Sequence, residues 1–558
     1  MKSVYPHIIP EIEDWPIYKV SRNRAAYVAE LQQFSFNRMM DLHAHEIEDM
    51  VAKTIYLEKI RCKNIPWKVD PPDEIGYWNQ LEREFQSCKS EEEQIEILRR
   101  IVHRYSEEIT GSFNPKTFKF ARRFLTSFFK RLLNTAAGRN HRRIWGNRYQ
   151  LQDRIMVTGF VDEFRSLFSK GTVVVVPTHF SNLDSILIGY AMDAVVGVPA
   201  FAYGAGLNLY EVELIAYFMN RLGAYKVDRR KKNPIYLECL KSMACYSLQK
   251  GVNNLFFPGG TRSRTGAIES RLKLGLLGSV METQRHFIQN DEDNKIFIVP
   301  IIMSYHFVLE AKYLIDQHLK LTTKEKYVKS RDQYTSYRKI MKFVWALFSE
   351  KSKITISVGE PLDVLGNKVD GEGNSLDKYG EIIDLKKYFL LNDAVTTDHQ
   401  RETVYTKMLG DKILESYYRN NVVLSSHLVA FVAYRLFLNT KKDLPFEDFI
   451  NLETSSFQVS LDYFFKVLEK LKVKLLIMKE KGEIKLSETI LKENVPEMAL
   501  YGIKNLGIYH IAKPLKIQEG VLTTEDIRLL YFYHNRMEHY QLEKVLEEVK
   551  YLNSVNAG

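Results

Sequence analysis

The 558-residue sequence has few of the features that mark disulfide-bonded, secreted or membrane-spanning proteins. Its four cysteines, Cys62, Cys88, Cys239 and Cys245, form no CxxC pair, so neither a disulfide framework nor a zinc site of the usual spacing is expected. No run of about 18 apolar residues occurs, which argues against a membrane-spanning helix. The first residues also lack the apolar stretch of a secretory signal. These absences predict a reduced, cytoplasmic protein.

Acidic residues are missing from one stretch, residues 115–150, which holds ten Lys or Arg. The net charge of the whole chain is +10, so the rest of the chain is electrically balanced. Phe120, Phe124 and Leu125 recur in this stretch at helical spacing among the basic residues, a pattern typical of a basic amphipathic helix. Such a block predicts an acidic partner: a membrane surface, a nucleic acid, or an anionic substrate or carrier.

The pattern of predicted helices and strands divides the chain into three parts. Residues 1–150 read as a helical N-terminal region that ends in the basic segment 115–150. Residues 151–365 alternate short β-branched runs with helical stretches, and residues 366–558, which begin with a Gly-, Asn- and Asp-rich loop, are mainly helical again. Alternation of strands and helices predicts an α/β fold in which helices sandwich a mixed, mostly parallel sheet. The continuous apolar runs suit strands that are covered on both faces.

The first candidate site is "THFSNLDS", residues 178–185, which follows the run "TVVVVP". Ser181 and Asp184 have the spacing of a capping box, so the cluster could simply begin a helix. Alternatively, His179 lies at the carboxyl end of a buried strand, where ligand sites of open α/β sheets gather. Asp184 could then hold one nitrogen of the imidazole and leave the other free to accept a proton. Capping and catalysis are compatible, because one carboxylate can serve both.

The second candidate site is "FFPGGTRSRTG", residues 256–266, a glycine-rich turn after another strand. Arg262 and Arg264 are two residues apart, so in an extended segment they face the same side. Two guanidinium groups on one face could clamp a phosphate, and the glycines would let a ligand approach the backbone. The alternative is an ordinary solvated basic turn.

Taken together, these residues resemble the glycerol-3-phosphate acyltransferase branch of the glycerolipid acyltransferase superfamily. Four family motifs occur in order: H-x-x-x-x-D from His179 to Asp184, "GAGLNL" with "RLGAYKVDRR", "FPGGTRSRTG" with "LKLG", and "IVPIIMSY". The resemblance is good over about residues 170–310 and extends into the C-terminal part. The third motif departs from many relatives, because Gly259 stands where they have glutamate.

The resemblance implies roles for particular residues. His179 would be the general base that takes a proton from a glycerol hydroxyl, and Asp184 would hold its productive tautomer. The acceptor phosphate would be bound by Arg262 and Arg264. The implied substrate pocket would also contain Arg229, Arg230, Asn208, Lys273, Gly260 and Thr261. No metal or other cofactor is implied beyond an acyl thioester, of coenzyme A or acyl carrier protein, as co-substrate.

The resemblance implies acyl transfer to the sn-1 hydroxyl of glycerol 3-phosphate in phospholipid biosynthesis. The alternative acceptors are 1-acylglycerol 3-phosphate and dihydroxyacetone phosphate. A non-enzymatic alternative is a basic protein that binds membrane surfaces, while the absence of RNA-binding motifs argues against nucleic acid. The segment 115–150 could lie on the inner face of the membrane as a peripheral anchor, dock an acidic acyl carrier protein, or pack internally.

Overall fold

A computed structural model of the chain describes residues 4–64, 67, 69–137, 155–207, 210, 213–322, 354–392, 394–508 and 510–546. Within these ranges the side chains of residues 128–137, 214 and 215 are not described. Asn208, residues 138–150 and the later side chains of the basic segment are therefore outside what the structure describes.

A seven-stranded sheet carries the candidate site, in the order β1-β7-β6-β2-β5-β3-β4. Its strands are β1 (Ile155–Gly159), β2 (Thr172–Pro177), β3 (Ala202–Gly206), β4 (Ala224–Val227), β5 (Asn254–Leu255), β6 (Ile296–Ser304) and β7 (Ile354–Val358). Strands β6, β2, β5, β3 and β4 are parallel, whereas β7 is antiparallel to β6 and parallel to β1. The carboxyl ends of the five parallel strands therefore meet at one edge.

Helices cover both faces of the sheet. They are α7 (Val161–Ser166), α8 (Asp184–Ala191), α9 (Glu213–Met219), α10 (Pro234–Gln249), α11 (Gly275–Gln289) and α12 (Ala311–Thr322). Strand β2, "TVVVVP", is buried along its whole length, as expected for β-branched residues between two helical layers. Helix α10 begins cleanly because Pro234 occupies its first turn and the Asn233 side chain accepts a hydrogen bond from the Tyr236 N–H.

The N-terminal part forms a helical layer against α10. It comprises α1 (Pro16–Ser21), α2 (Arg24–His43), α3 (Ile47–Asn64), α4 (Glu74–Ser87), α5 (Glu91–Ile109) and α6 (Pro115–Ala137). Three of these helices, α2, α3 and α5, pack on α10. The core between the helices contains three fully buried aromatic side chains, Trp78, Tyr105 and Tyr236. This core joins the N-terminal helices to the edge of the sheet that carries β3 and β4.

The C-terminal part is built around a helix that is buried on nearly all sides, α14 (Ser425–Thr440). The other helices are α13 (His399–Asn420), α15 (Phe446–Phe449), α16 (Leu461–Glu480), α17 (Glu488–Lys492), α18 (Val495–Asn505) and α19 (Ile527–His534). Short strands connect them: β8 (Lys368–Val369), β9 (Ser375–Leu376), β10 (Leu390–Leu391), β11 (Ala394–Val395), β12 (Val422–Val423), β13 (Gln458–Ser460), β14 (Lys485–Leu486), β15 (Lys516–Gln518) and β16 (Val521–Thr523). Helix α13 packs on β6, and α19 packs on α12 and α14.

The predicted fold class is confirmed: helices enclose a mixed, mostly parallel sheet. The division at residues 150 and 365 stays a prediction, and one hydrophobic core runs from the sheet into the C-terminal helices. Among the helices that the structure describes, none is long and apolar enough to cross a membrane.

Candidate active site

His179 lies two residues beyond β2, at the edge where the parallel strands end. Its Nδ1 atom is 3.0 Å from Oδ2 of Asp184. The imidazole stacks on the ring of Phe257, with centroids 4.1 Å apart. The His179 side chain is 14% exposed, whereas Asp184 is completely buried. Part of the imidazole is therefore accessible from solvent, while its orienting carboxylate is not.

The carboxylate of Asp184 accepts hydrogen bonds from three groups besides His179. Its Oδ2 atom accepts hydrogen bonds from the backbone N–H groups of Phe180 (2.6 Å) and Ser181 (2.9 Å), and Oδ1 accepts one from the Tyr305 hydroxyl (2.7 Å). Burial, and then the negative charge of Asp184, raise the pKa of Tyr305 well above its ordinary value. Tyr305 therefore remains a neutral donor, and an ionised carboxylate in this setting can only accept.

This geometry determines which nitrogen of His179 carries the proton. Since Asp184 accepts at Oδ2, the network assigns the hydrogen to Nδ1 of His179. Among the described residues, Nε2 of His179 has no hydrogen-bond partner, so its lone pair is available to an incoming hydroxyl group. This is the arrangement that a general base requires.

The capping box expected from Ser181 and Asp184 is not formed, because Asp184 is the first residue of α8 and Leu183 is its N-cap residue, with no side-chain cap. Asp184 accepts the N–H of Ser181 from the first turn of α8. The Ser181 hydroxyl instead donates to Oε2 of Glu310, at 2.8 Å. Asp184 thus begins helix α8 and holds His179 at the same time.

The glycine-rich turn after β5 lies directly beside His179. The Ser263 N–H donates to the carbonyl oxygen of His179, at 2.8 Å, which joins the first and third motifs. Gly260 adopts a left-handed conformation with φ of 75°. A Cβ atom on Gly260 would lie 2.9 Å from Nζ of Lys273, so the lysine extends across the turn. The adjacent Thr261 is exposed.

Arg262 forms an ion pair with a buried carboxylate beside the His179 loop. Its guanidinium lies 3.3 Å from Oε1 of Glu310. The same Oε1 atom accepts the N–H of Asn182, at 2.9 Å. Burial raises the pKa of Glu310, and the charge of Arg262 partly offsets this rise. Glu310 therefore ties Arg262 to the loop that carries His179.

The other predicted phosphate ligands occupy different positions. Partial desolvation, and then the charge of Arg262, lower the pKa of Arg229. Arg264 is exposed, and its charge contributes after burial to a lowered pKa of His318 on α12.

Arg230 is engaged with carboxylates. Its Nε donates to Oδ1 of Asp228, at 2.9 Å, and its terminal nitrogens donate to Asp70, at 2.5 and 2.9 Å. The guanidinium also lies 4.0 Å from the ring centroid of Trp67. Arg230 therefore joins β4 to the N-terminal helical part of the molecule.

Three residues that sequence reasoning did not assign complete the site: Glu269, Tyr305 and Glu310. Oε1 of Glu269 accepts the N–H of His179, at 2.8 Å. Tyr305 closes the fourth motif, so its place at the end of β6 was a usable signal. Glu269 and Glu310 are single acidic residues in otherwise basic or apolar stretches, and only the fold brings them to His179.

Potential metal ligands cluster elsewhere. In the described ranges the carboxylates of Glu58 and Glu74 and the thiol of Cys62 lie close enough to hold an ion. However, Arg61 donates to both carboxylates, at 2.7 and 2.6 Å. A guanidinium thus already neutralises this group.

A cavity of about 900 Å³ does not include His179 in its lining. It lies between α5 and the end of β4, and its walls contain Arg104 and Lys231. Both cations are paired, with Glu74 and Glu108 respectively. The bond between Ser263 and His179 places the candidate site at the sheet edge around His179.

The α/β fold presents the His179–Asp184 pair beside a glycine-rich arginine turn at one edge of the sheet. Residues 154–304 match the family model described as Acyltransferase, so this part of the chain is similar to acyltransferase domains. The resemblance to acyltransferases is thereby confirmed.

Several curated relatives are named glycerol-3-phosphate acyltransferase. The protein from Pseudomonas paraeruginosa is 25% identical over 278 residues, which are 50% of this chain and 29% of the relative. The protein from Pseudomonas syringae pv. tomato is 29% identical over 201 residues, covering 36% of this chain and 22% of the relative. That from Xylella fastidiosa is 25% identical over 224 residues, covering 39% and 24%. The matched regions thus span less than a third of each of these relatives.

Proposed function

We propose that the protein transfers a fatty acyl group from a thioester to the sn-1 hydroxyl of glycerol 3-phosphate, with His179 as general base. The observation that carries the proposal is the His179–Asp184 pair, joined through Ser263 to the turn that presents Arg262. The names of the relatives supply the acceptor.

The proposed step follows from the free Nε2 atom of His179. The acceptor hydroxyl gives its proton to Nε2, and its oxygen attacks the thioester carbonyl carbon. The tetrahedral intermediate then collapses, the carbon–sulfur bond breaks, and the imidazolium returns the proton to the thiolate. Asp184 stabilises the imidazolium between the two transfers. The step needs no metal and no redox cofactor.

The acceptor phosphate is proposed to lie against Arg262, with Arg229 nearby. Glu310 neutralises part of the charge of Arg262 and fixes its position, so the guanidinium is already oriented before a phosphate arrives. An oriented cation loses less conformational entropy on binding. Lys273, which extends across the Gly260 turn, is proposed to line the same pocket.

A membrane surface is proposed as a further partner. Phe120 and Phe124 on α6 are 57% and 52% exposed, and their rings stack on each other. Lys119 and Arg123 lie on the same helix. Exposed aromatic rings among basic residues suit a lipid surface that carries negative charge. An enzyme that handles acyl chains would benefit from this position.

The test is an assay of the purified full chain with acyl-coenzyme A and with acyl carrier protein thioesters. Each donor is combined with glycerol 3-phosphate, 1-acylglycerol 3-phosphate or dihydroxyacetone phosphate, and products and acyl position are read by mass spectrometry. We expect sn-1 acylation of glycerol 3-phosphate. His179→Ala should lower kcat by about 10²–10⁴-fold. Its unfolding temperature should stay close to that of the wild type, because the backbone bonds of residue 179 remain.

The matched control is His45→Ala, which removes an exposed histidine from the N-terminal helices. Wild-type activity in the His179 variant would remove the base assignment. If product forms only with 1-acylglycerol 3-phosphate or only with dihydroxyacetone phosphate, that compound is the acceptor in place of glycerol 3-phosphate. Absence of transfer in every combination would overturn the proposed function.

A further inference from the structure

Behind His179 lies a buried carboxylate that the proposed step does not use. Oε1 of Glu269 accepts the backbone N–H of His179, at 2.8 Å. Its Oε2 atom is buried and, among the described residues, has no hydrogen-bond partner. Burial raises the pKa of Glu269, and the bond from His179 partly counters this rise. Such a group is costly to bury, so its placement needs an explanation.

The space for this carboxylate exists because residue 259 has no side chain. A Cβ atom on Gly259 would lie 3.0 Å from Cγ of Glu269 and 3.4 Å from its Oε1. The backbone of Gly259 is not in the left-handed region, so room rather than conformation favours glycine here. Gly259 is also the position at which the third motif departs from its glutamate-containing form.

The main chain around Glu269 is held by the C-terminal helices. The hydroxyl of Tyr418, on α13, donates to the Glu269 carbonyl oxygen, at 2.8 Å. The side-chain amide of Asn535 donates to the carbonyl oxygen of Thr265, at 2.9 Å. The backbone of Glu269 is therefore held in place, so its side chain can position the neighbouring His179 loop.

Both backbone polar groups of His179, the N–H and the carbonyl oxygen, are bound by this one segment. Glu269 accepts its N–H, and Ser263 donates to its carbonyl oxygen. A shift of the segment would therefore move the imidazole relative to Asp184. Misplacing a reacting group by about 1 Å can cost roughly 10²-fold in rate.

We propose that Glu269 is the positioning residue for His179. Its side chain, ten residues after Gly259 in the sequence, occupies the space that the missing side chain of Gly259 leaves open. The catalytic part of this inference rests on the proposed function. Its geometric part, the bond from Glu269 to the His179 N–H, can be measured without any substrate.

The first measurement is hydrogen exchange at the backbone amide of His179, resolved by fragmentation mass spectrometry. Glu269→Ala should speed exchange there by about 10-fold or more, because the buried acceptor is lost. Glu269→Gln should change it by less than about 3-fold, because the amide oxygen can still accept. Gly259→Ala, which keeps the carboxylate but intrudes on Cγ of Glu269, should also speed exchange.

The second measurement is steady-state acyl transfer by the same variants. Glu269→Ala should lower kcat by about 10–100-fold and leave KM for the acceptor within about 3-fold, because orientation and not binding is lost. Gly259→Glu alone should also be impaired, since two side chains then compete for one space. The double variant Gly259→Glu/Glu269→Ala should recover at least about 5-fold over Glu269→Ala.

The matched control is Glu402→Ala, which removes another buried carboxylate, paired with Arg285 away from the site. It reports the general effect of such a loss on folding and on kcat. Unchanged exchange at His179 in both Glu269→Ala and Gly259→Ala would overturn the inference. So would a Glu269→Ala enzyme as active as the Glu402 control. If the wild type transfers no acyl group, the proposed function fails and the exchange data still decide the position of Glu269.

Discussion

Replacing Asp184 by asparagine separates the charge of this residue from its hydrogen bonds. Three donors, Nδ1 of His179 and the N–H groups of Phe180 and Ser181, converge on Oδ2. If the amide NH₂ of asparagine occupied the position of Oδ2, it would face three other donors. The amide oxygen must therefore occupy that position. The NH₂ group then points to the Tyr305 hydroxyl, which can accept it and turn its own hydrogen to Sδ of Met303, 3.3 Å away.

In Asp184→Asn the tautomer of His179 is therefore preserved, and only the negative charge is lost. Two unit charges about 4 Å apart interact by about 4 kcal/mol at an effective dielectric constant of ~20. That interaction is present only once the imidazolium has formed. A loss of about 3–4 kcal/mol corresponds to a fall in kcat of roughly 10²–10³-fold. Where a similar substitution forces the catalytic histidine of another enzyme into the wrong tautomer, kcat falls by about 10⁴-fold.

Asp184→Ala should behave differently, because it removes the acceptor itself. The backbone N–H groups of Phe180 and Ser181 would be left without their partner beneath the site. Each buried unsatisfied donor costs about 1–3 kcal/mol, so the free energy of unfolding should fall by roughly 2–6 kcal/mol. That is a large share of the ~5–15 kcal/mol that stabilises a typical domain.

The assay is steady-state kinetics together with thermal unfolding of both variants. Asp184→Asn should unfold within a few degrees of the wild type and be slow, whereas Asp184→Ala should be slow and clearly destabilised. If Asp184→Asn kept more than about a third of the wild-type kcat, stabilisation of the imidazolium by Asp184 would be refuted. An Asp184→Ala protein as stable as the wild type would refute the structural half of the reasoning.

Two further predictions concern substrate and membrane. Arg262→Ala should raise KM for the phosphorylated acceptor about 10–100-fold with a smaller effect on kcat, and Arg262→Lys should be milder; an unchanged KM would remove Arg262 from the phosphate site. Phe120→Ser/Phe124→Ser should weaken sedimentation with vesicles of anionic lipid, binding that high salt should also reduce, while the exposed-ring control Tyr379→Ser should not. Equal binding by all three proteins would remove α6 from the membrane contact.

Local patterns in the sequence were enough to predict the fold class and the His179–Asp184 pair. The buried run of β2 and the short spacing of the two residues determine where they lie, because a strand end and the first turn of the next helix are neighbours in the chain. The pairing of Asp184 with Tyr305 could not be read in this way. It depends on β6 lying beside β2, and strand order is a property of the whole sheet.

The acidic residues around the site were harder still to predict. Glu269 and Glu310 meet the His179 loop from 90 and 128 residues away in sequence. Neither lies in a periodic pattern, and a single carboxylate in a loop is usually solvated. Arg230 shows the converse: its sequence neighbourhood suggested phosphate binding, and the fold placed Asp70 and Asp228 around it.

The C-terminal helices determine how rigid the proposed acceptor turn can be. Asn535 and Tyr418 bind the main chain of residues 265 and 269, and His427 lies 2.9 Å from the carbonyl oxygen of Tyr305. Arg536 is buried beneath the loop, 4.1 Å from the ring of Phe180, and burial lowers its pKa to about 10. These contacts come from outside residues 154–304, the segment that matches the family model. Residues 154–304 therefore contain the proposed reacting groups, while helices beyond them contact the arginine turn and the His179 loop. We expect a change in those helices to alter kcat without contacting the substrate.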